Sequence, residues 1–180
     1  LHAQHQDVNA MKVGLFTDSH YSSAPLTCGV RRNNQSLRKI EEALRSFEEQ
    51  QCDLTIILGD LTDTEAERSM EIENMRRIAR ALDASGLNIL CLMGNHDAFV
   101  FTEDEFYGLL GEHRRPHTIS RDGVNLLFID ACYSKDGSHY SPGGGDWTDT
   151  FYPHARQLAE TLDRVRSEEP FSRNAETDLV

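Results

Sequence analysis

Cysteine is scarce in this chain of 180 residues, which contains four cysteines and no pair at the C-x-x-C spacing. Neither a disulfide framework nor a structural zinc site is therefore indicated. Cys91 lies inside an apolar run, so we expect it to be a small buried hydrophobic residue. Because so few cysteines are present and none is paired by spacing, a reducing, cytoplasmic compartment is the favoured location.

Long hydrophobic runs are also missing. The longest, at 54–58 and 89–93, are far shorter than the ~20 residues of a membrane-spanning helix, so we expect no membrane span. The same runs are apolar enough to require burial, which argues against a disordered chain. A length of 180 residues suits one domain of ordinary size.

Positive charge is in short supply, because 18 Lys and Arg face 30 Asp and Glu and the net charge is −12. The imbalance begins after residue 50, since residues 1–50 contain six acids and six bases. A negative field repels nucleic-acid backbones and attracts metal cations. Nucleic acid is therefore not expected as a partner, whereas metal-assisted chemistry on a phosphorylated small molecule is compatible with this charge.

Three continuous apolar runs predict strands that are covered on both faces, at 12–16, 54–58 and 88–93. Apolar residues at helical spacing lie between these runs. They are Leu37, Ile40, Leu44 and Phe47 in the first connection and Ile72, Met75, Ile78, Ala79 and Leu82 in the second. Alternation of strand and helix predicts an α/β fold with a parallel sheet.

Capping signals locate the helix ends. Thr64 and Glu67 predict a capping box for the second helix, and Gly86 predicts its C-terminal end. Thr102 and Glu105 predict the start of a further short helix.

The pattern changes in the last third of the chain. Two strands, at 117–120 and 124–129, are predicted to form a hairpin around Asp122-Gly123. A long loop at 133–150 follows, which is either a lid over a substrate or a plain flexible loop. A final helix is predicted after Pro153, and its apolar face consists of Ala155, Leu158, Leu162 and Val165.

Three polar clusters directly follow the three predicted parallel strands. They are D-x-H at 18–20, G-D-x-x-D at 59–63 and G-N-H-D at 94–97. In open α/β sheets, ligands bind outside the carboxyl ends of the strands, so we expect these clusters to meet at one rim. Their carboxylate, imidazole and amide donors suit Mn, Fe, Zn or Co better than calcium. A carboxylate such as Asp60 can bridge two ions ~3.5–4 Å apart that hold a hydroxide for attack on a phosphoryl group.

In this order, the three motifs resemble those of the calcineurin-like metallophosphoesterase family. The resemblance covers residues 12–130 in detail and the helix after 147–149 in outline. It implies a four-layer αββα metallophosphoesterase sandwich with a dinuclear metal site. The preference of Asp and Asn for turns at strand ends could explain any one of these motifs without catalysis, but it does not explain all three together.

The resemblance also implies roles for individual residues. Asp18 and His20 would hold the first of two divalent metal ions, Asp60 would bridge both ions, and Asn95 would hold the second. The catalytic pair would be His96 and Asp97. By that resemblance, His96 protonates the leaving oxygen or stabilises charge on the phosphoryl group, and Asp97 orients His96.

The chain departs from the family pattern in its later histidines. The family completes its site with three more histidines, two of them in a G-H-x-H segment, and no later histidine of this sequence matches. We therefore expect residues 11–180 to be the N-terminal part of such a domain, with a sandwich that is incomplete at its C-terminal end. Residues 1–10 are expected to be an upstream extension or a cloning remnant. The chain alone is expected to bind metal weakly and to show little activity.

The function predicted from the sequence is metal-dependent phosphoester hydrolysis of the phosphodiesterase or nucleotidase type. Residues 59–65 lack the G-D-x-V-D-R-G of Ser/Thr protein phosphatases, and Asp97 stands where those enzymes have Glu. A nucleotide, a cyclic nucleotide, a diphosphate and a phospholipid head group all remain possible substrates. The alternative function is a non-catalytic scaffold or binding module of the same fold. A homo-oligomer would cover any sheet surface left exposed.

Three further residues have two readings each. Asp63 either supports the site from behind the ligands or braces the following helix. Arg31 and Arg32 follow the first strand in a loop near the predicted rim, where an arginine pair can hold a phosphate through two parallel hydrogen bonds. A solvated loop is the alternative for this pair.

Overall fold

A computed structural model describes residues 11–26, 30–121, 124–134, 136–140, 158–160 and 162–163. The predicted hairpin turn at 122–123 lies outside these ranges. So do residues 141–150 of the predicted loop and most of the predicted helix that follows Pro153.

The described chain contains five strands and four α-helices of at least six residues. In chain order they are β1 (Val13–Phe16), α1 (Ser36–Glu49), β2 (Leu54–Ile57), α2 (Arg68–Ala84), β3 (Ile89–Cys91), α3 (Asn95–Val100), α4 (Glu103–Leu110), β4 (Ile119–Arg121) and β5 (Val124–Leu126). Residues 158–160 and 162–163 are also helical. Short 3-10 helices at Asn33–Gln35 and Glu112–Arg114 precede α1 and follow α4.

The first three strands form a parallel sheet in the order β1-β2-β3, which confirms the predicted α/β fold. Gly14 pairs with Thr55 and Thr55 pairs with Ile89, so the carboxyl ends of all three strands lie at one edge. Each strand is shorter than its apolar run. The remaining residues of each apolar run lie outside the hydrogen-bonded strand, and a polar motif follows each run.

The parallel sheet is buried on both faces at β2 and β3, as continuous apolar strands require. In β1, Leu15 pairs with Ile56 and is 54% exposed, so the prediction of two covered faces is wrong at this strand. On one face, Ile57 and Cys91 join a core with apolar residues of α1, α2 and α4. On the other face, Leu54, Ile56 and Leu90 pack against residues of the β4–β5 hairpin region. β4 and β5 pair in antiparallel fashion, which confirms the predicted hairpin. The described residues thus supply a helical layer, the parallel sheet and a second small sheet, and a second helical layer is not among them.

The helix ends follow the sequence signals with one exception. Thr102 and Glu105 form the predicted capping box, since each side chain accepts a hydrogen bond from the other's backbone N–H. Gly86 has φ of +64° just after α2, as a C-terminal glycine should.

The capping box predicted at Thr64 and Glu67 is wrong. The helix α2 begins at Arg68, and its N-cap Glu67 is extended and makes no side-chain cap. The preceding segment is held by other contacts. Asp63 accepts the N–H of Thr64 at 3.0 Å, and Glu71 accepts the N–H of Glu65 at 2.9 Å. These contacts keep the chain extended for one more turn before the helix can start.

Within the described ranges, no helix is both long and apolar enough to cross a membrane.

Candidate metal centre

Backbone strain is concentrated at the predicted metal ligands. Among the described residues, four non-glycine residues have positive φ: Asp18 at 56°, His20 at 44°, Asp60 at 52° and Gln51 at 56°. Three of the four are predicted ligands. Such conformations cost on the order of 1–3 kcal/mol each and persist only where surrounding structure enforces them, which makes them typical of functional sites.

Backbone hydrogen bonds continue the pairing of β1 and β2 into the motif loops. The N–H groups of Asp18, His20 and Tyr21 donate to the carbonyls of Gly59, Asp60 and Leu61 at 3.1, 2.9 and 2.8 Å. The D-x-H and G-D-x-x-D segments therefore lie side by side with a fixed offset, and their strained residues face one another.

The third motif approaches the second through two glycines. A Cβ atom on Gly94 would lie 2.2 Å from Asp60 Oδ1 and 2.3 Å from its backbone nitrogen. A Cβ atom on Gly59, which has φ of +98°, would lie 2.3 Å from the nitrogen of Gly94. Only glycine fits at either position, because no side chain can be accommodated between the two backbones.

His20 lies between two carboxylates at distances that suit a shared ion. Its Nε2 is 3.5 Å from Asp18 Oδ1 and 3.7 Å from Asp60 Oδ2. Both separations exceed the 2.7–3.2 Å of an ordinary hydrogen bond. Two donors each ~2.0–2.2 Å from a tetrahedral ion are roughly 3.4 Å apart. His20 is only 7% exposed, and its Nδ1 has no hydrogen-bond partner in the described part of the protein.

His96 completes the cluster from the third motif. Donor atoms of His20, Asp60 and His96 all lie within 4.8 Å of one another, and the two imidazole rings meet edge to face with centroids 4.5 Å apart. The backbone N–H of His96 donates to Asp60 Oδ1 at 2.9 Å, so Oδ2 faces His20. Asn95 is partly buried at the first position of α3, between Gly94 and His96 in the chain.

Asp97 occupies a different place from the one that the resemblance implied. Its fully buried carboxylate accepts the backbone N–H groups of Leu61 and Thr62 at 3.0 and 3.2 Å and that of Gly94 at 3.0 Å. Burial, with a smaller contribution from the nearby Asp60 charge, raises the pKa of this carboxyl to about 7 despite the three N–H donors. Asp97 thus ties the second motif to the third.

The carboxylate beside His96 belongs to Asp63 instead. Asp63 Oδ1 lies 3.2 Å from His96 Nδ1, and Oδ2 accepts a hydrogen bond from Asn33 Nδ2 at 2.6 Å. Asn33 is only 3% exposed, and it belongs to the short 3-10 helix before α1. Sequence reasoning did not single out Asn33, because an asparagine before a helix is ordinarily read as a turn or cap residue.

The comparison with protein families decides the identity of the fold. The calcineurin-like phosphoesterase model matches residues 11–178. This chain belongs to that family. Membership implies divalent metal ions, and Nε2 of His20 with the carboxylates of Asp18 and Asp60 at 3.5 and 3.7 Å from it fits such an ion.

The chain is also similar to a solved structure, a dimetal phosphatase from Danio rerio. The two share 20% sequence identity over 53% of this chain and 32% of that chain, with a TM-score of 0.48. This chain therefore spans about a third of the length of that phosphatase. Among curated proteins, none matches the sequence.

Proposed function

We propose that this member of the calcineurin-like phosphoesterases is a dimetal phosphoester hydrolase. In this proposal Asp18 and His20 hold the first ion, Asp60 bridges, and Asn95 holds the second. The observation that carries it is the strained, side-by-side placement of Asp18, His20 and Asp60 with donors spread as if around an ion. When bound, the two ions would polarise the phosphoryl group and activate water.

The protein's own groups orient this chemistry. The backbone N–H of His96 donates to one carboxylate oxygen of Asp60 and so fixes its orientation. Asp97 accepts the N–H groups of Leu61 and Gly94 and so fixes the loops after β2 and β3. Asp63 Oδ1 lies 3.2 Å from His96 Nδ1, which leaves Nε2 free of that contact. As water oxygen bonds to phosphorus and the ester P–O bond breaks, His96 Nε2 would give the departing oxygen its proton.

Family membership alone does not specify the substrate or the cellular location. We propose a phosphorylated small molecule, a nucleotide or phosphodiester, because the net charge of −12 disfavours a nucleic-acid polymer. Manganese, iron, zinc and cobalt all suit the donor set. Cys52, Cys91 and Cys132 are free thiols, which supports a cytoplasmic location in our proposal.

Hydrolysis of bis(p-nitrophenyl) phosphate with and without Mn²⁺ tests this proposal. We expect Mn²⁺-dependent turnover above the metal-free rate, and Asp60→Asn should reduce it by at least about 100-fold because both ions lose a ligand. Asp104→Asn is the matched control, since that side chain is 98% exposed on α4. Equal turnover in wild type and Asp60→Asn would refute the catalytic role and favour the scaffold alternative.

A further inference from the structure

An open cleft of about 520 Å³ lies directly beside the candidate metal centre. Asp18 and His20, two proposed ligands, form part of its wall, and Arg31, Arg32 and Lys39 form another part. Small-molecule sites commonly measure ~300–1,000 Å³, so a substrate fragment fits here. The cleft therefore joins the proposed reaction centre to a group of three cations.

These three cations are available to a ligand. Arg31, Arg32 and Lys39 are exposed, and none makes an ion pair with any described carboxylate. Arg68 and Arg114, by contrast, form ion pairs with Glu105 and Asp83. In a protein of net charge −12, three unpaired cations at one cleft create a local field that attracts an anion.

The remaining lining supports charge recognition. Among the described residues that line the wall, Val30 is the only aliphatic one, and none is phenylalanine, tyrosine or tryptophan. These described residues therefore offer a nucleobase no aromatic ring to stack on. Gln35 and Ser36 bring the start of α1 to the cleft, and the first turn of this 14-residue helix contains no acidic residue. The positive end of the helix dipole adds to the field of the cations.

We propose that this cleft binds a second phosphate of the substrate, so that the site cleaves diphosphate linkages. The proposal rests on the proposed function: the metal centre holds the phosphoryl group under attack, and Arg31 and Arg32 hold its neighbour. Water oxygen bonds to the attacked phosphorus as the bridging P–O bond breaks. The bridging oxygen leaves with the second phosphate, whose charge the arginines neutralise, and takes a proton from His96.

Isothermal titration calorimetry with non-hydrolysable methylenediphosphonate and with orthophosphate tests the cleft, with equal excess MnCl2 in both solutions. Wild type should bind methylenediphosphonate at least about tenfold more tightly than orthophosphate, as two added charge-assisted hydrogen bonds imply. The double variant Arg31→Gln/Arg32→Gln should lose that preference while its orthophosphate affinity changes less than about threefold.

The matched control is Arg38→Gln/Arg45→Gln, which removes the same charge from exposed positions of α1 outside the cleft. It should keep the wild-type preference. The cleft assignment would be overturned if both double variants lost the preference for methylenediphosphonate equally. It would also be overturned if Arg31→Gln/Arg32→Gln lost equal affinity for methylenediphosphonate and for orthophosphate. A third ligand, α,β-methylene-ADP, should bind within about threefold of methylenediphosphonate; a preference for it above about tenfold would overturn recognition by charge alone.

A separate Mn²⁺ titration distinguishes failure of the cleft from failure of the proposed function. If wild type binds Mn²⁺ but shows no diphosphate preference, only the cleft assignment falls. If wild type does not bind Mn²⁺, both the metal centre and the diphosphate proposal are overturned.

Discussion

At the scale of single residues, the structure places the carboxylate of Asp63 rather than that of Asp97 beside the imidazole of His96. The resemblance implied that Asp97, the direct neighbour of His96, orients the imidazole. In the structure Asp97 binds three backbone N–H groups, and Asp63 from the preceding motif lies 3.2 Å from His96 Nδ1. The supporting contact for His96 therefore crosses between the second and third motifs.

Asp63→Asn should test this positioning role. The substitution keeps the shape of the side chain but removes the negative charge that lies 3.2 Å from His96 Nδ1. We expect kcat for bis(p-nitrophenyl) phosphate to fall about 10- to 100-fold, with KM and Mn²⁺ affinity nearly unchanged. Loss of a residue that orients a site residue at a metal centre commonly lowers activity by this factor. Asp136→Asn, at an exposed turn, is the control. A parallel rise in KM or loss of Mn²⁺ affinity would indicate a collapsed site rather than a misplaced histidine.

The sequence predicted which residues lie near the site, but it did not predict which of their side-chain atoms contact one another. Asp18, His20 and Asp60 follow directly from strand ends and motif spacing, and they lie together as expected. The pairing of Asp63 with His96 depends on side-chain directions and on Asn33 at 2.6 Å, which come from tertiary packing. No local pattern encodes that packing.

At the scale of elements, the close approach of the loops after β2 and β3 determines the site. Gly59 and Gly94 let these backbones touch, and each position excludes a Cβ atom. The apolar runs predicted both strands, and the polar motifs predicted where they end. The start of α2 was missed because Glu71, six residues further along the chain, accepts the N–H of Glu65, a contact that no capping pattern predicts.

A pair of glycine substitutions tests the element-scale account. Gly94→Ala should lower the free energy of unfolding by more than about 2 kcal/mol and weaken Mn²⁺ binding, because the new methyl group would displace Asp60. Gly108→Ala, inside α4 with open space around it, should instead stabilise the protein by about 0.5–1 kcal/mol. Urea unfolding with and without Mn²⁺ measures both effects. A Gly94→Ala variant as stable as wild type would contradict the packing described here.

At the scale of the whole molecule, the parallel sheet explains why distant motifs converge. The helices α1, α2 and α4 cover one face, and the β4–β5 hairpin region covers the other at β2 and β3, while Leu15 of β1 is 54% exposed. The polar motifs lie at the strand ends, beyond these covered faces. Three successive motifs then meet at a single rim. Beside that rim, in a chain of net charge −12, lie Arg31, Arg32 and Lys39, which make no ion pair with a described carboxylate. In our proposal these three cations select for a second phosphate.

The central claim is that the carboxyl ends of β1, β2 and β3 form a metal centre. The most direct test is an anomalous difference map from Mn²⁺-loaded crystals of this chain. We expect the strongest peak among Asp18, His20 and Asp60, about 2.0–2.3 Å from their donor atoms, and no such peak in Asp60→Asn. A strongest peak elsewhere on the protein, or one that persists unchanged in Asp60→Asn, would show that these strand ends do not form a metal centre.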